Sequence, residues 1–137
     1  MFTLKLLLSS GFVALVAIAS PVEVVSVRQS GTICNGVTYS SAEVSLCETT
    51  SCSLASAGNT RTSSGGSRYP HTYNNYEGFT FKGLTGPFWE YPLITGTSSW
   101  NGGSPGAARC IIEKNSCSTA GQIVHSGSTF VACTGTS

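Results

Sequence analysis

The 137-residue chain contains no aspartate; all six of its acidic residues are glutamate. A Ser-His-Asp arrangement therefore lacks its usual third member, although Glu90 could take that place. Histidine is almost as scarce, with His71 and His125 alone, and no Cys-x-x-Cys pair occurs. Those absences argue against a zinc site. No unbroken apolar run reaches the roughly 20 residues needed to cross a membrane. Charge is sparse as well, with charged residues making up 9% of the chain and a formal net charge of +1. Without Lys5 the basic and acidic residues number six each. Such a balance excludes a broadly basic nucleic-acid binder, whose affinity rests on many phosphate contacts. Any action on nucleic acid has to come from a local site.

What is present divides the chain into three parts. Residues 1–19 have Lys5 near the start, an apolar stretch from Leu6 to Ala19 interrupted by Ser9-Ser10-Gly11, and the small-residue end Ala17-Ile18-Ala19. This is the layout of a secretory signal peptide, with cleavage expected after Ala19 because Pro21 disfavours a cut after Ser20. A transmembrane anchor is the alternative, and the short, broken apolar stretch speaks against it. Residues 20–31 are expected to be a short pro-region or disordered start, and residues 32–137 a single small domain. All six cysteines (Cys34, Cys47, Cys52, Cys110, Cys117, Cys133) fall in that domain, which in an exported chain predicts three disulfides and leaves no thiol nucleophile.

The domain opens with Cys34-Asn35-Gly36-Val37-Thr38-Tyr39, a turn followed by extended chain. Ser40 and Glu43 form a capping-box pattern, predicting a helix over 41–56. Val44, Cys47, Ser51, Leu54 and Ala55 share one face of it. Ala57-Gly58-Asn59 stops the helix, and Asn59–Ser67 is a polar Gly/Ser loop too short to separate two domains. Six extended pieces follow: Thr72–Tyr76, Phe79–Lys82, Trp89–Ile94, Arg109–Glu113, Gln122–Ser126 and Phe130–Cys133. The predicted fold class is α+β, one α-helix packed on one face of a twisted antiparallel β-sheet and stapled by disulfides. Pro92 predicts an irregularity or an edge in its strand.

Side-chain alternation sorts the scarce ionisable groups. If Cys110, Ile112 and Val124 face the helix, Arg109 and His125 emerge together on the other face, where Glu90 and His71 can join them. A carboxylate, two imidazoles and a guanidinium suit acid–base catalysis on a phosphate ester. One group removes a proton, another protonates the leaving group, and the guanidinium holds the charged phosphorus centre. Tyr73 and Tyr76, flanking Asn74-Asn75, add stacking rings and turn-exposed amides for an unpaired base. Glu77 accepts hydrogen bonds only, so it would select a donor-rich edge such as that of guanine. A glycosidase using Glu77 and Glu90 as its carboxylate pair is the other enzymatic reading.

The run Tyr69-Pro70-His71-Thr72-Tyr73-Asn74-Asn75-Tyr76-Glu77-Gly78-Phe79 resembles the signature of the secreted fungal guanyl-specific ribonucleases, the ribonuclease T-one family. The resemblance continues through Pro87–Ile94, Gly102–Arg109, His125-Ser126-Gly127 and Phe130–Cys133. It implies that Glu90 is the general base, supported by His71, and that His125 is the general acid. It implies further that Arg109 and Tyr69 stabilise the pentavalent phosphorane, and that Phe130 forms an apolar wall beside it. Tyr73 and Tyr76 would sandwich guanine, Asn74 and Asn75 would contribute backbone contacts, and Glu77 would bind its N1 and N2 edge. The implied reaction cleaves single-stranded RNA 3′ of guanosine, through a 2′,3′-cyclic phosphate, in an extracellular monomer with no cofactor. A non-catalytic RNA- or protein-binding effector on the same fold is the alternative. Cis prolines are implied at Tyr69-Pro70 and Gly86-Pro87. The resemblance also implies Cys34–Cys133 and Cys52–Cys117 bridges, leaving Cys47, on the helix stripe, to face Cys110. The chain departs from the family at Ala108, where members carry aspartate. It departs again before Phe130, where Ser128 and Thr129 stand in place of a Gly-Asn-Asn run.

Overall fold

A computed structural model describes residues 30–136; the expected signal peptide and most of the 20–31 segment lie outside them. The domain begins with a hairpin, β1 (Thr32–Cys34) and β2 (Val37–Tyr39), closed by Asn35-Gly36 with both φ angles positive. Asn-Gly fits this turn because it tolerates the left-handed conformation at both central positions.

Helix α1 covers Ser41–Ser56, as the sequence predicts. Ser40 Oγ accepts the Glu43 N–H at 3.1 Å, satisfying one of the orphan amides of the first turn. At the other end Gly58 adopts φ 69°, its N–H reaching Ala55 O, while Asn59 N–H reaches Leu54 O at 2.8 Å. These paired bonds around a left-handed glycine end the helix by satisfying two of its last carbonyls.

Antiparallel strands β5 (His71–Tyr73), β6 (Phe88–Pro92), β7 (Ala108–Glu113), β8 (Thr119–Ser126) and β9 (Thr129–Ala132) form a five-stranded sheet in that order. Pro92 is the last residue of β6, so its missing N–H costs the ladder little. The polar 59–67 loop contains β3 (Arg61–Thr62), which pairs with β4 (Arg68–Tyr69). Two-residue strands carry no sequence period, so neither was predicted as a strand. Both expected prolyl bonds, Tyr69-Pro70 and Gly86-Pro87, are cis.

The expected extended piece Phe79–Lys82 is corrected. Residues Phe81–Gly83 form one turn of 3-10 helix, with Phe81 and Lys82 at φ 40° and 57°. The Phe-Thr-Phe-Lys alternation imitates a strand, but here the chain folds back over the sheet. The fully buried Phe81 ring contacts those of Tyr73, Phe79 and Phe88.

The sheet thus separates two cores. On the helix side Val44, Cys47, Tyr91, Leu93, Trp100, Ala108, Cys110 and Val124 pack together. On the other side Tyr73, Phe81, Phe88, Ile111, Ala120 and Ile123 form a smaller cluster. Arg61 ties the helix-side core to its covering loop, donating from one terminal nitrogen to Tyr91 Oη, Ser99 Oγ and Trp100 O. Disulfides join Cys34–Cys133, Cys47–Cys110 and Cys52–Cys117, closing sequence separations of 99, 63 and 65 residues. In the chain-entropy account a loop of this size stabilises by roughly 4 kcal/mol, less once another bridge has already shortened the path.

Glu48 was not among the expected helix-face residues, yet it is buried beside Val44, Cys47 and Ser51. Thr119 Oγ1 donates to Glu48 Oε2 at 2.8 Å and Gln122 Nε2 to Oε1 at 3.4 Å. Burial pushes this carboxyl up to about 7, against the opposing effects of Thr119, Lys82 and Gln122. A folded value above the unfolded one means that folding takes up a proton. Glu48's stabilising contribution is complete below its unfolded value of 4.5 and is lost as pH rises through about 7. Glu48→Gln keeps the shape and stays neutral. In thermal melts this variant should match the parent near pH 4 and exceed it at pH 8 by roughly 2 kcal/mol.

Candidate active site

The ladder brings the scarce groups together. His71 lies opposite Glu90 across β5–β6, Pro92 opposite Arg109 across β6–β7, and Arg109 opposite Ile123 across β7–β8. Period-two alternation then places His71, Glu90, Arg109 and His125 on the face away from the helix. Phe130, directly opposite His125 on β9, joins the same row.

Arg109 is the most buried of them, at 3% relative exposure. Its Nη1 donates to the carbonyls of Gly106 at 2.8 Å, Ala108 at 2.9 Å and Pro105 at 3.3 Å. Nη2 donates to Tyr69 Oη at 3.3 Å. Nε lies 3.4 Å from Glu90 Oε2, within ion-pair range, yet it is buried without a hydrogen-bond partner. A charged donor held this way is ready for an anionic oxygen. Backbone carbonyls fix the guanidinium, so its orientation does not require an acidic side chain at Ala108, whose small side chain packs in the helix-side core.

Glu90 Oε1 and His71 Nε2 form a short hydrogen bond, and His71 Nδ1 meets Arg68 O at 2.9 Å. Bonding to Glu90 raises the His71 pKa above the usual imidazole value; burial and Arg109 oppose this, while Glu90's charge and the Arg68 carbonyl add to it. Tyr69 stacks on His71 at 4.4 Å between ring centres and meets Trp100 edge-on. This ring therefore links the row to the helix-side core. His125 is exposed, and its ring lies 4.0 Å from that of Phe130. Partial burial lowers its pKa, Arg109 lowers it further, and Glu90 and Glu77 act in the opposite sense. The two imidazoles are thus biased apart, His71 toward the protonated form and His125 toward the neutral form.

Beside this row lies the tyrosine-rich turn. Asn75 adopts φ 55°, and its amide bonds both backbone groups of Phe79, accepting from N and donating to O at 2.8 Å each. Its side chain thus imitates a strand partner and holds the turn shut. Tyr73 is buried, edge-on to Phe81 and Phe130, whereas Tyr76 is 89% exposed. The two expected stacking rings therefore occupy opposite environments. Asn74 is exposed. Glu77 Oε1 accepts from Tyr73 Oη at 2.7 Å and Oε2 from Phe130 N–H at 3.1 Å. Burial raises the Glu77 pKa, but the donors on Tyr73, Phe130, Glu77 itself and Thr129 outweigh it, and the net direction is down. A cleft of about 640 Å³ behind the turn is lined by Thr72–Asn75 and by 84–88. It includes none of the ionisable row, which lies on the open sheet surface.

The Thr129 hydroxyl also reaches Glu77, at 3.4 Å, a contact absent from the expectations above. A signal was available: only Gly127-Ser128 separates Ser126 from Thr129, a length that predicts a tight hairpin and places Thr129 next to Phe130.

A ribonuclease family model matches residues 27–134. The chain is 50% identical to the guanyl-specific ribonuclease Th1 of Trichoderma harzianum over 106 residues, covering 75% of this chain and 96% of that protein. It is 45% identical to the guanyl-specific ribonuclease F1 of Fusarium fujikuroi over 123 residues, covering 88% and 87%. With guanyl-specific ribonuclease T1 of Aspergillus oryzae it shares 40% identity over 104 residues, covering 74% and 76%. This chain belongs to the fungal guanyl-specific ribonuclease family.

Two predictions test this geometry. In Glu90→Gln the imidazole of His71 loses its charged partner, so its pKa should fall relative to the parent; a nitrogen-15 NMR titration of the histidine rings measures the change. In Asn75→Ala the Phe79 amide loses its acceptor, and its hydrogen exchange should quicken by about tenfold while amides in the centre of β7 exchange as before.

Proposed function

We propose that this protein cleaves single-stranded RNA on the 3′ side of guanosine by metal-independent transesterification. The attacking nucleophile is the substrate's own ribose 2′-hydroxyl, so the protein has to supply a base, an acid and charge stabilisation. Glu90 removes the 2′-OH proton, aided by His71, which holds the carboxylate in place and shares its proton. His125, on the other side of the row, protonates the departing 5′-oxygen. Arg109, through its guanidinium, and Tyr69, through its hydroxyl, bear on the negative charge of the phosphorane. Phe130 walls the apolar side of that position. The product is a 2′,3′-cyclic phosphate, which water attacks more slowly, by the same groups in reversed roles, to leave a 3′-phosphate. DNA, without a 2′-hydroxyl, binds and is not cut.

Base preference falls to the neighbouring turn. Glu77 receives the N1–H and N2–H₂ donors of guanine, the amides around Asn74 and Asn75 face its O6 edge, and the exposed Tyr76 ring closes over the base against Tyr73. The enzyme works outside the cell, freed of its N-terminal signal, as a monomer without a membrane anchor. The observation that carries the reading is the convergence of His71, Glu90, Arg109 and His125 on one sheet face beside an acceptor-only carboxylate, in a chain that belongs to this family.

Purified protein in excess chelator should cut GpC to cytidine and guanosine 2′,3′-cyclic phosphate. Glu90→Gln and His125→Ala should each lower kcat at least 100-fold, a loss typical of removing one acid–base group. Full activity in the double variant, or cleavage that depends on added divalent metal, would contradict the mechanism.

A further inference from the structure

The last hairpin and the recognition turn meet at one carboxylate. Ser126 pairs with Thr129 around the two-residue turn Gly127-Ser128, so β9 begins immediately beside Glu77. A carboxylate offers about four acceptor positions. On Glu77, Oε1 accepts from Tyr73 Oη at 2.7 Å, and Oε2 accepts from both Phe130 N–H at 3.1 Å and Thr129 Oγ1 at 3.4 Å. Glu77's own backbone N–H is a further donor, so the acceptor positions of this carboxylate are largely taken up from within the chain.

A purine ring N–H held by this carboxylate takes its place on Oε1. A second donor from the same base, an amino group next to the ring nitrogen, has to approach Oε2. The Phe130 amide there belongs to the backbone of β9 and cannot turn away. The Thr129 hydroxyl makes a longer bond than Tyr73 or the Phe130 amide, on an exposed side chain, and rotates about one dihedral. It is the one donor that a base amino group can displace. Displacement trades one hydrogen bond for another, so the amino group adds little net affinity.

We propose that Thr129 is a specificity-determining residue, acting through Glu77, whose hydroxyl competes with the 2-amino group of the bound base for Oε2. The inference rests on the reading of Glu77 as the base-recognition carboxylate. It follows that the parent enzyme separates guanosine from inosine, which lacks the 2-amino group, by only a few-fold. Without the hydroxyl, the vacant lobe of Oε2 rewards that amino group.

Steady-state kinetics on GpC, IpC and ApC test this in the parent, Thr129→Val, Thr129→Ala and Thr129→Ser. The GpC-to-IpC ratio of kcat/KM should rise about tenfold in the valine and alanine variants and return to the parent value in serine. A purely structural role for Thr129 would lower GpC and IpC together and leave their ratio alone. Ratios within twofold of the parent in both hydroxyl-free variants overturn the proposal while leaving guanine recognition intact. If the parent cuts ApC as fast as GpC, the Glu77 reading itself falls, and this proposal with it. The alanine variant introduces no added bulk and decides the matter if valine disturbs the hairpin.

Discussion

The buried guanidinium of Arg109 sets the terms for the open face of the sheet. A charge at this depth is strongly destabilising unless it is paired and its donors are met. The chain meets that demand from separate segments: carbonyls of the 105–108 loop, the hydroxyl of Tyr69 and the carboxylate of Glu90. Glu90 in turn is engaged by His71, and Tyr69 stacks on that same imidazole. Tyr69, Glu90 and His71, to which chemistry is assigned, are therefore also the side chains that make the arginine tolerable. Its Nε makes no hydrogen bond and lies 3.4 Å from Glu90 Oε2, held by the ion pair alone.

Such an arrangement needs walls that do not move. On the helix side the disulfide-linked core supports β6 and β7, and Trp100 meets the rings of Tyr69 and Tyr91 from the covering loop. On the open side Phe81 has been folded back to form a second, smaller core under Tyr73 and Phe88. The row of ionisable groups occupies the part of that face which the aromatic cluster leaves uncovered. The residues proposed to recognise the base sit at the seam, since Tyr73 belongs to the cluster and also donates to Glu77.

Much of this was legible in the chain. Helix bounds could be read because Ser40, Glu43 and Gly58 act locally, through bonds to residues three or four positions away. The face that carries the ionisable row could be read because alternation needs only correct strand positions for Glu90, Arg109 and His125. What escaped the reading depends on distant partners. Glu48 looks like a polar interruption of the helix stripe until Thr119 and Gln122, more than 70 residues on, arrive to bond it. Phe79–Lys82 has a strand's alternation but no neighbouring strand. The burial of Tyr73 follows from Phe81 crossing the sheet, an event that no periodicity within His71–Tyr73 announces. The Thr129 contact likewise exists only because a short hairpin and a turn some 50 residues earlier converge.

The Cys47–Cys110 bridge has a consequence beyond its contribution to stability. Cys110 and Arg109 are adjacent in β7 and point to opposite faces. Slipping that strand by one residue would exchange them, turning the thiol away from α1 and driving the guanidinium into the apolar side. Oxidation of Cys47 with Cys110 is thus available only to chains whose strand is already in register, and once formed it forbids the slip. The bond works as a covalent record of correct pairing, written one residue away from the group on which the site depends.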